Sequence, residues 1–103
     1  MRSPVDFKAQ IYRRLKDYLS RDRTGIRRAL LTLFMKLKTW TVPEIFAQLK
    51  MHFTISYHAV ASMVGIIASR IGILRVRKNI DSNNTLYEMK EQYVDIVTDL
   101  ITV

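Results

Sequence analysis

The sequence predicts a single α+β domain, mostly helical, with a two-stranded hairpin set between a run of helices and a final helix. Three observations predict it. Apolar residues recur at three- and four-residue spacing through most of the chain, the period of a half-buried helix. Helix-start chemistry interrupts that pattern, most clearly at Thr41-Val42-Pro43-Glu44. Residues 73–80 then switch to β-branched and large apolar types, and Asp81-Ser82-Asn83-Asn84 follows with the residues that favour a turn. At 103 residues and 49% hydrophobic content, the chain fits one domain with one core. A chain of this length buries only roughly two-thirds of its unfolded surface, so association with a second copy is useful to it.

The elements follow in order. Ser3 is a candidate cap, Pro4 suits the first helical position, and Asp6 adds favourable negative charge there. Phe7, Ile11, Leu15 and Tyr18 form the apolar stripe of this leading helix, expected over about 4–19. Residues 20–25 break the pattern, with Thr24 the expected cap of a second helix. Its stripe is Ile26, Leu30, Leu33, Phe34 and Leu37. Thr41 and Glu44 match a capping box, in which side chain and backbone satisfy each other's free N–H. Ile45, Phe46 and Leu49 face inward from this third, short helix, which is expected to stop near Phe53. Ser56 caps a fourth helix, with Val60, Val64, Ile67 and Ile71 inside and Gly72 as its left-handed terminator. A hairpin pairs 73–80 with 85–89. From about 90 to 102 runs a last helix with Tyr93, Ile96, Val97 and Leu100 inside.

A short helix, a turn and a longer helix make a helix-turn-helix, and a hairpin directly after it is a wing. Residues 41–88 resemble the winged-helix families of transcription regulators. The marks are Thr41 with Glu44, Ile55-Ser56, Gly72-Ile73-Leu74 and Asn84-Thr85-Leu86-Tyr87. The resemblance implies a winged helix-turn-helix core over about 25–89 with an extra helix at each end. The whole chain is also similar to a small family of uncharacterised archaeal proteins of unknown function. That similarity is carried by Gly25-Ile26-Arg27-Arg28, Met63-Val64-Gly65, Gly72-Ile73-Leu74-Arg75 and residues 90–97.

Charge points to a partner class. Lys and Arg number 17 against 9 Asp and Glu, a formal net of +8. Residues 1–38 hold 11 basic and 3 acidic residues, whereas residues 39–103 hold 6 of each. The whole excess therefore lies in the first third, and a localised excess favours a polyanion. Double-stranded DNA is the expected partner. Arg13, Arg14, Lys16, Arg21, Arg23, Arg27 and Arg28 are too many for ordinary surface balance, and Arg13, Arg14, Arg27 and Arg28 are the candidate phosphate contacts. Arg27 and Arg28 open a helix, where cations oppose the dipole, so a bound anion is expected nearby; the alternative is pairing with Asp17, Asp22 or the acidic last helix.

The outward face of the fourth helix carries His58, Ser62, Gly65 and Ser69, with Ser56 and Tyr57 at its start. In a winged helix this face enters the major groove. It lacks the Arg, Lys, Asn and Gln that make bidentate base contacts, so it equally resembles a surface for packing on protein. In the wing, Arg75 and Arg77 alternate with Leu74 and Val76 and so share one side, with Lys78 nearer the tip. These residues suit a phosphate backbone. They also suit an edge strand protected from aggregation. Asp95 and Asp99 stand near a helix C-terminus, an unfavourable place, and basic residues of the leading helix are expected opposite them, within the chain or across a dimer.

Other functions find little here. There is no cysteine, and His52 and His58 are the only histidines, on different elements. No metal site, cofactor or catalytic group is expected. Residues 81–92 have Leu86 and Gln92 where a calcium loop needs Gly and Glu. The first residues lack the apolar core of a signal peptide. Residues 59–69, the longest apolar stretch, fall short of the roughly 20 residues that span a bilayer. The expectation is a cytoplasmic protein without membrane association. It is expected to act as a DNA-binding transcription regulator and a homodimer joined through its leading and last helices. The alternative is a protein–protein interaction module on the same fold.

Overall fold

A computed structural model describes residues 4–78 and 84–102. The architecture is α+β and mostly helical. Helices α1 (Pro4–Ser20) and α2 (Ile26–Lys36) lead into a short strand β1 (Thr39–Thr41). Helix α3 (Val42–Leu49) and helix α4 (Tyr57–Ile66) follow, and α4 runs into a π-helical turn (Ile67–Ile71). Strands β2 (Leu74–Lys78) and β3 (Thr85–Met89), a 3-10 turn (Glu91–Tyr93) and helix α5 (Val94–Ile101) complete the chain. Ser3 and the turn residues Asp81, Ser82 and Asn83 lie outside the described residues.

α1 buries Ile11, Leu15 and Tyr18 as its periodicity requires, but Phe7 is half exposed. Phe7 stands one turn beyond the core, beside Gln92 and Tyr93. The start of α2 differs from the sequence expectation. Gly25, at φ +85°, occupies the cap position, and Thr24 makes only a long contact, 3.4 Å, to the N–H of Ile26. The cap is Asp22. Its two carboxylate oxygens accept the backbone N–H groups of Arg27 at 3.1 Å and Arg28 at 3.0 Å. The left-handed glycine turns the chain back so that a residue well before the helix reaches its free donors.

At the other end of α2, Leu37 leaves the helix in extended backbone and is exposed, against its expected place inside. Leu31 is buried instead. Trp40 closes this end: its indole N–H is shared between the carbonyls of Leu33 and Leu37, both at 2.9 Å. Trp40 belongs to β1, which pairs antiparallel with β3 in the register Trp40 to Tyr87. The sheet order is β1-β3-β2, so the expected hairpin gains a third strand from before the helix pair. β2 pairs with β3 from Leu74 opposite Met89 to Lys78 opposite Thr85.

The capping box at α3 is formed. The Thr41 N–H donates to Glu44 Oε1 at 2.8 Å, and the Glu44 N–H donates to Thr41 Oγ1 at 3.3 Å. Reciprocal satisfaction of this kind is worth about 1 kcal/mol. Ser56 caps α4 through the N–H of Ala59 at 3.1 Å. Val60, Val64 and Ile67 are fully buried, and with Ile45, Leu30, Phe34 and Ile73 they form the centre of the core. Truncating any of the larger of these to Ala costs about 2–5 kcal/mol. Gly72, at φ +85°, ends the helical run, and its N–H donates to the Ile67 carbonyl at 2.9 Å, a π-type closure. Lys90 then ties the hairpin base to this end: its ammonium donates to the Gly72 carbonyl at 3.1 Å and its backbone N–H to the Ile73 carbonyl at 2.9 Å. Among the described residues no helix is long and apolar enough to cross a membrane.

α5 buries Val97 and half-buries Ile96 and Leu100. The cation at its C-terminus comes from α2 and not from the leading helix. Arg28 Nη1 donates to the Ile101 carbonyl at 2.9 Å, at the negative end of the helix dipole, where positive charge is favourable. Among the described residues, Asp95 and Asp99 form no ion pair within the chain.

Candidate nucleic-acid interface

The outward face of α4 is open. His58, Ser62 and Ser69 are exposed along it, and a Cβ added at Gly65 meets nothing within 4 Å. Its polar groups are partly committed. The Ser56 hydroxyl is used in capping, and Ser69 Oγ donates to the Gly65 carbonyl at 2.7 Å. Tyr57 is 47% exposed and packs edge-on against Phe46, with ring centroids 5.7 Å apart. His58 and Ser62 are the side chains on this face able to meet a partner. No arginine or lysine lies among the residues of α4 itself.

The hairpin approaches the start of α4. Tyr57, Val42 and Pro43 share a shallow concavity with Asn84, Thr85 and Tyr87. Arg75 and Arg77 do share one side, because both reach one carboxylate. Arg75 lies 3.5 Å from Glu88 Oε1, and Arg77 lies 3.1 Å from Glu88 Oε2. Glu88 sits opposite Arg75 in the ladder, on the central strand. One carboxylate thus offsets part of the charge of two guanidinium groups, which stay more than half exposed. Lys78 is exposed farther along β2.

The expected phosphate contacts divide. Arg13 is exposed on α1. Arg28 is turned toward α5. Arg14 and Arg27 converge beside the π-helical turn that follows α4, on a cleft also lined by Arg21, Arg70, Tyr18 and Asp17. At the helix start that opens with Arg27 and Arg28 the structure has the alternative to a bound anion: the carboxylate of Asp22 sits on their backbone N–H groups. Arg27 also braces Tyr18. Its guanidinium lies 4.2 Å over the Tyr18 ring and donates to the Tyr18 carbonyl at 2.8 Å.

Arg70 and Tyr18 were not among the residues that sequence reasoning placed in a site. A signal existed in α1, where Arg14, Tyr18 and Arg21 follow at spacings of four and three and so share one helix face. Nothing local in the sequence brings Arg70 to them. The π-helical turn carries it there, and Arg14 Nη1 donates to the Arg70 carbonyl at 3.4 Å. Burial pushes the Tyr18 phenol above its ordinary value; the nearby charge of Arg27 opposes this and that of Asp22 adds to it.

Among the described residues no group of three or more His, Cys, Asp or Glu side chains gathers to hold a metal ion. The chemistry on offer is hydrogen bonding and cation–anion attraction.

Comparison with known proteins places the chain in a family. It is 36% identical over 93 residues to an uncharacterised protein of Archaeoglobus fulgidus, an alignment covering 89% of this chain and 93% of that one. No solved structure matches it. A family model described as a protein of unknown function, DUF2551, matches residues 15–97, and the chain belongs to that family.

Proposed function

We propose that this chain is a winged helix-turn-helix protein that binds double-stranded DNA and regulates transcription as a dimer. One observation carries the reading. The helix pair α3–α4 is followed by a hairpin whose second strand also pairs with β1, the strand just before the pair. This order is the one in which a wing stands beside a recognition helix. α4 runs from the concavity that Tyr57 shares with Asn84, Thr85 and Tyr87 to the arginine-lined cleft at Ile66 and Arg70. From His58 to Arg70 the helical run rises roughly 18 Å, longer than a major groove is wide, roughly 12 Å.

In this reading Arg75, Arg77 and Lys78 of the wing, with Arg13 and Arg14, hold phosphates and supply affinity without sequence preference. Arg27 and Arg28 act mainly inside the chain and add only to the field. His58 and Ser62 supply what sequence preference there is. Dimerisation uses α1 and α5, whose half-exposed Phe7, Tyr12, Tyr93 and Leu100 lie outside the helix-turn-helix. The test is a selection of bound sequences from random duplexes with the full chain. An enriched two-fold-symmetric motif is the expected result, and an unenriched pool removes the sequence-reading role.

A second reading is a protein-interaction module. The observation that favours it is the α4 face itself, which is small and nearly neutral, with Tyr57 exposed at its edge. Absence of duplex binding at low salt, together with a dimer in solution, selects this second reading.

A further inference from the structure

The cleft at the C-terminal end of α4 is built for an anion, whether or not the chain binds DNA. Four guanidinium groups, from Arg14, Arg21, Arg27 and Arg70, line about 340 Å³ of space, and the one carboxylate among the lining residues is Asp17. Asp22 stands close by, but its oxygens are held by the start of α2. Asp17 offsets only Arg21, through an exposed pair at 3.5 Å. Arg70 has no ion pair among the described residues. Charges of one sign gathered from α1, α2 and the π-helical turn repel one another, an arrangement that an anion between them relieves.

A second observation points to a ligand. Tyr18 lines the same cleft and is only 8% exposed, and its hydroxyl lacks a hydrogen-bond partner among the described residues. Among the described residues it is the buried side-chain polar atom left in that state. A buried hydroxyl without a partner costs about 1–3 kcal/mol, so an acceptor arriving in the cleft gains more there than at an open surface. Guanidinium forks match tetrahedral oxyanions, and a phenol adds a neutral donor. We infer that this cleft binds a phosphate group through Arg21, Arg70 and Arg14, with the Tyr18 hydroxyl as an added donor and Arg27 holding the tyrosine in place.

Inorganic pyrophosphate titrated into the full chain by isothermal titration calorimetry tests this. Saturable binding to one site per chain is expected, at constant ionic strength. Arg70→Ala and Arg21→Ala are each expected to weaken it roughly tenfold or more, since each removes charge-assisted hydrogen bonds. Arg70→Gln repeats the test with a polar but uncharged side chain, should the alanine variant fold poorly. Tyr18→Phe is expected to weaken binding without loss of stability. No saturable binding at millimolar pyrophosphate overturns the site, as does unchanged binding in the Arg21 and Arg70 variants. A competing duplex identifies the source of the phosphate. If duplex displaces pyrophosphate and Arg70→Ala weakens both, the site holds backbone phosphate. If duplex and pyrophosphate bind together, it holds a free phosphate ester. Pyrophosphate binding in a chain that fails to bind duplex keeps this site and removes only the DNA reading.

Discussion

The carboxylate of Asp22 accepts the backbone N–H of Arg28 at 3.0 Å, six residues ahead in the chain, and so closes the start of α2 from outside the helix. Its other oxygen takes the N–H of Arg27. The two arginines that oppose the helix dipole therefore sit beside an anion of the same chain. Asp22→Ala leaves two helix donors without a partner and is expected to lower unfolding stability by about 1–2 kcal/mol in urea titration. Asp22→Asn keeps one acceptor oxygen and is expected to lose less. An unchanged midpoint in the alanine variant removes Asp22 as the cap.

Tyr18→Phe carries a prediction of opposite sign. It deletes a buried hydroxyl without a partner, so stability near neutral pH is expected to stay level or rise. The same substitution changes the alkaline limb. The folded chain holds the Tyr18 proton above the ordinary phenol value of 10.0, because burial disfavours the phenolate. The resulting stability is complete below the unfolded value and is lost as pH rises through the higher folded one. Thermal midpoints across that range are expected to fall more steeply with pH in the wild type than in Tyr18→Phe. Parallel curves contradict the assignment.

Glu88 restrains the hairpin arginines. It engages both Arg75 and Arg77, and its pairs are exposed enough to contribute at most about 1 kcal/mol to stability. Glu88→Gln is expected to leave the thermal midpoint nearly unchanged and to raise duplex affinity severalfold at low salt, read by fluorescence anisotropy. Unaltered affinity in a folded variant means that these arginines do not meet phosphate.

Positions on α4 and on the hairpin are expected to separate in the same assay. Arg75→Ala and Arg77→Ala are expected to weaken all duplexes alike, whereas His58→Ala or Ser62→Ala shifts the ranking of sequences. Equal effects from all four reduce the chain to a nonspecific binder.

Much of the helical frame was legible because its signals are local. The Thr41–Glu44 box, the Ser56 cap and the left-handed Gly72 each operate within a few residues, and each forms as its residue types require. The inward stripe of Val60, Val64, Ile67 and Ile71 was equally plain. β1 was not, since Thr39-Trp40-Thr41 is too short to show a period and becomes a strand only by pairing with β3, far along the chain. Leu37 was misplaced because helical spacing continues through it, while the strand that follows draws the backbone out and gives Trp40 the closing position. The side shared by Arg75 and Arg77 followed from strand alternation; their common partner Glu88 needed the register. The arginine cleft was half visible in the spacing along α1 and invisible in Arg70, which the turn after α4 delivers.

The salt dependence of duplex affinity separates DNA binding from a role confined to protein partners. The net charge of +8 and the exposed arginines of the hairpin and of the cleft predict several phosphate contacts. With about six contacts, affinity falls roughly a thousandfold between about 50 and 200 mM salt, and the double substitution Arg75→Ala, Arg77→Ala reduces the logarithmic slope by about two. A chain that binds no duplex at about 50 mM salt, or whose slope is unaffected by loss of both hairpin arginines, contradicts DNA binding through this surface.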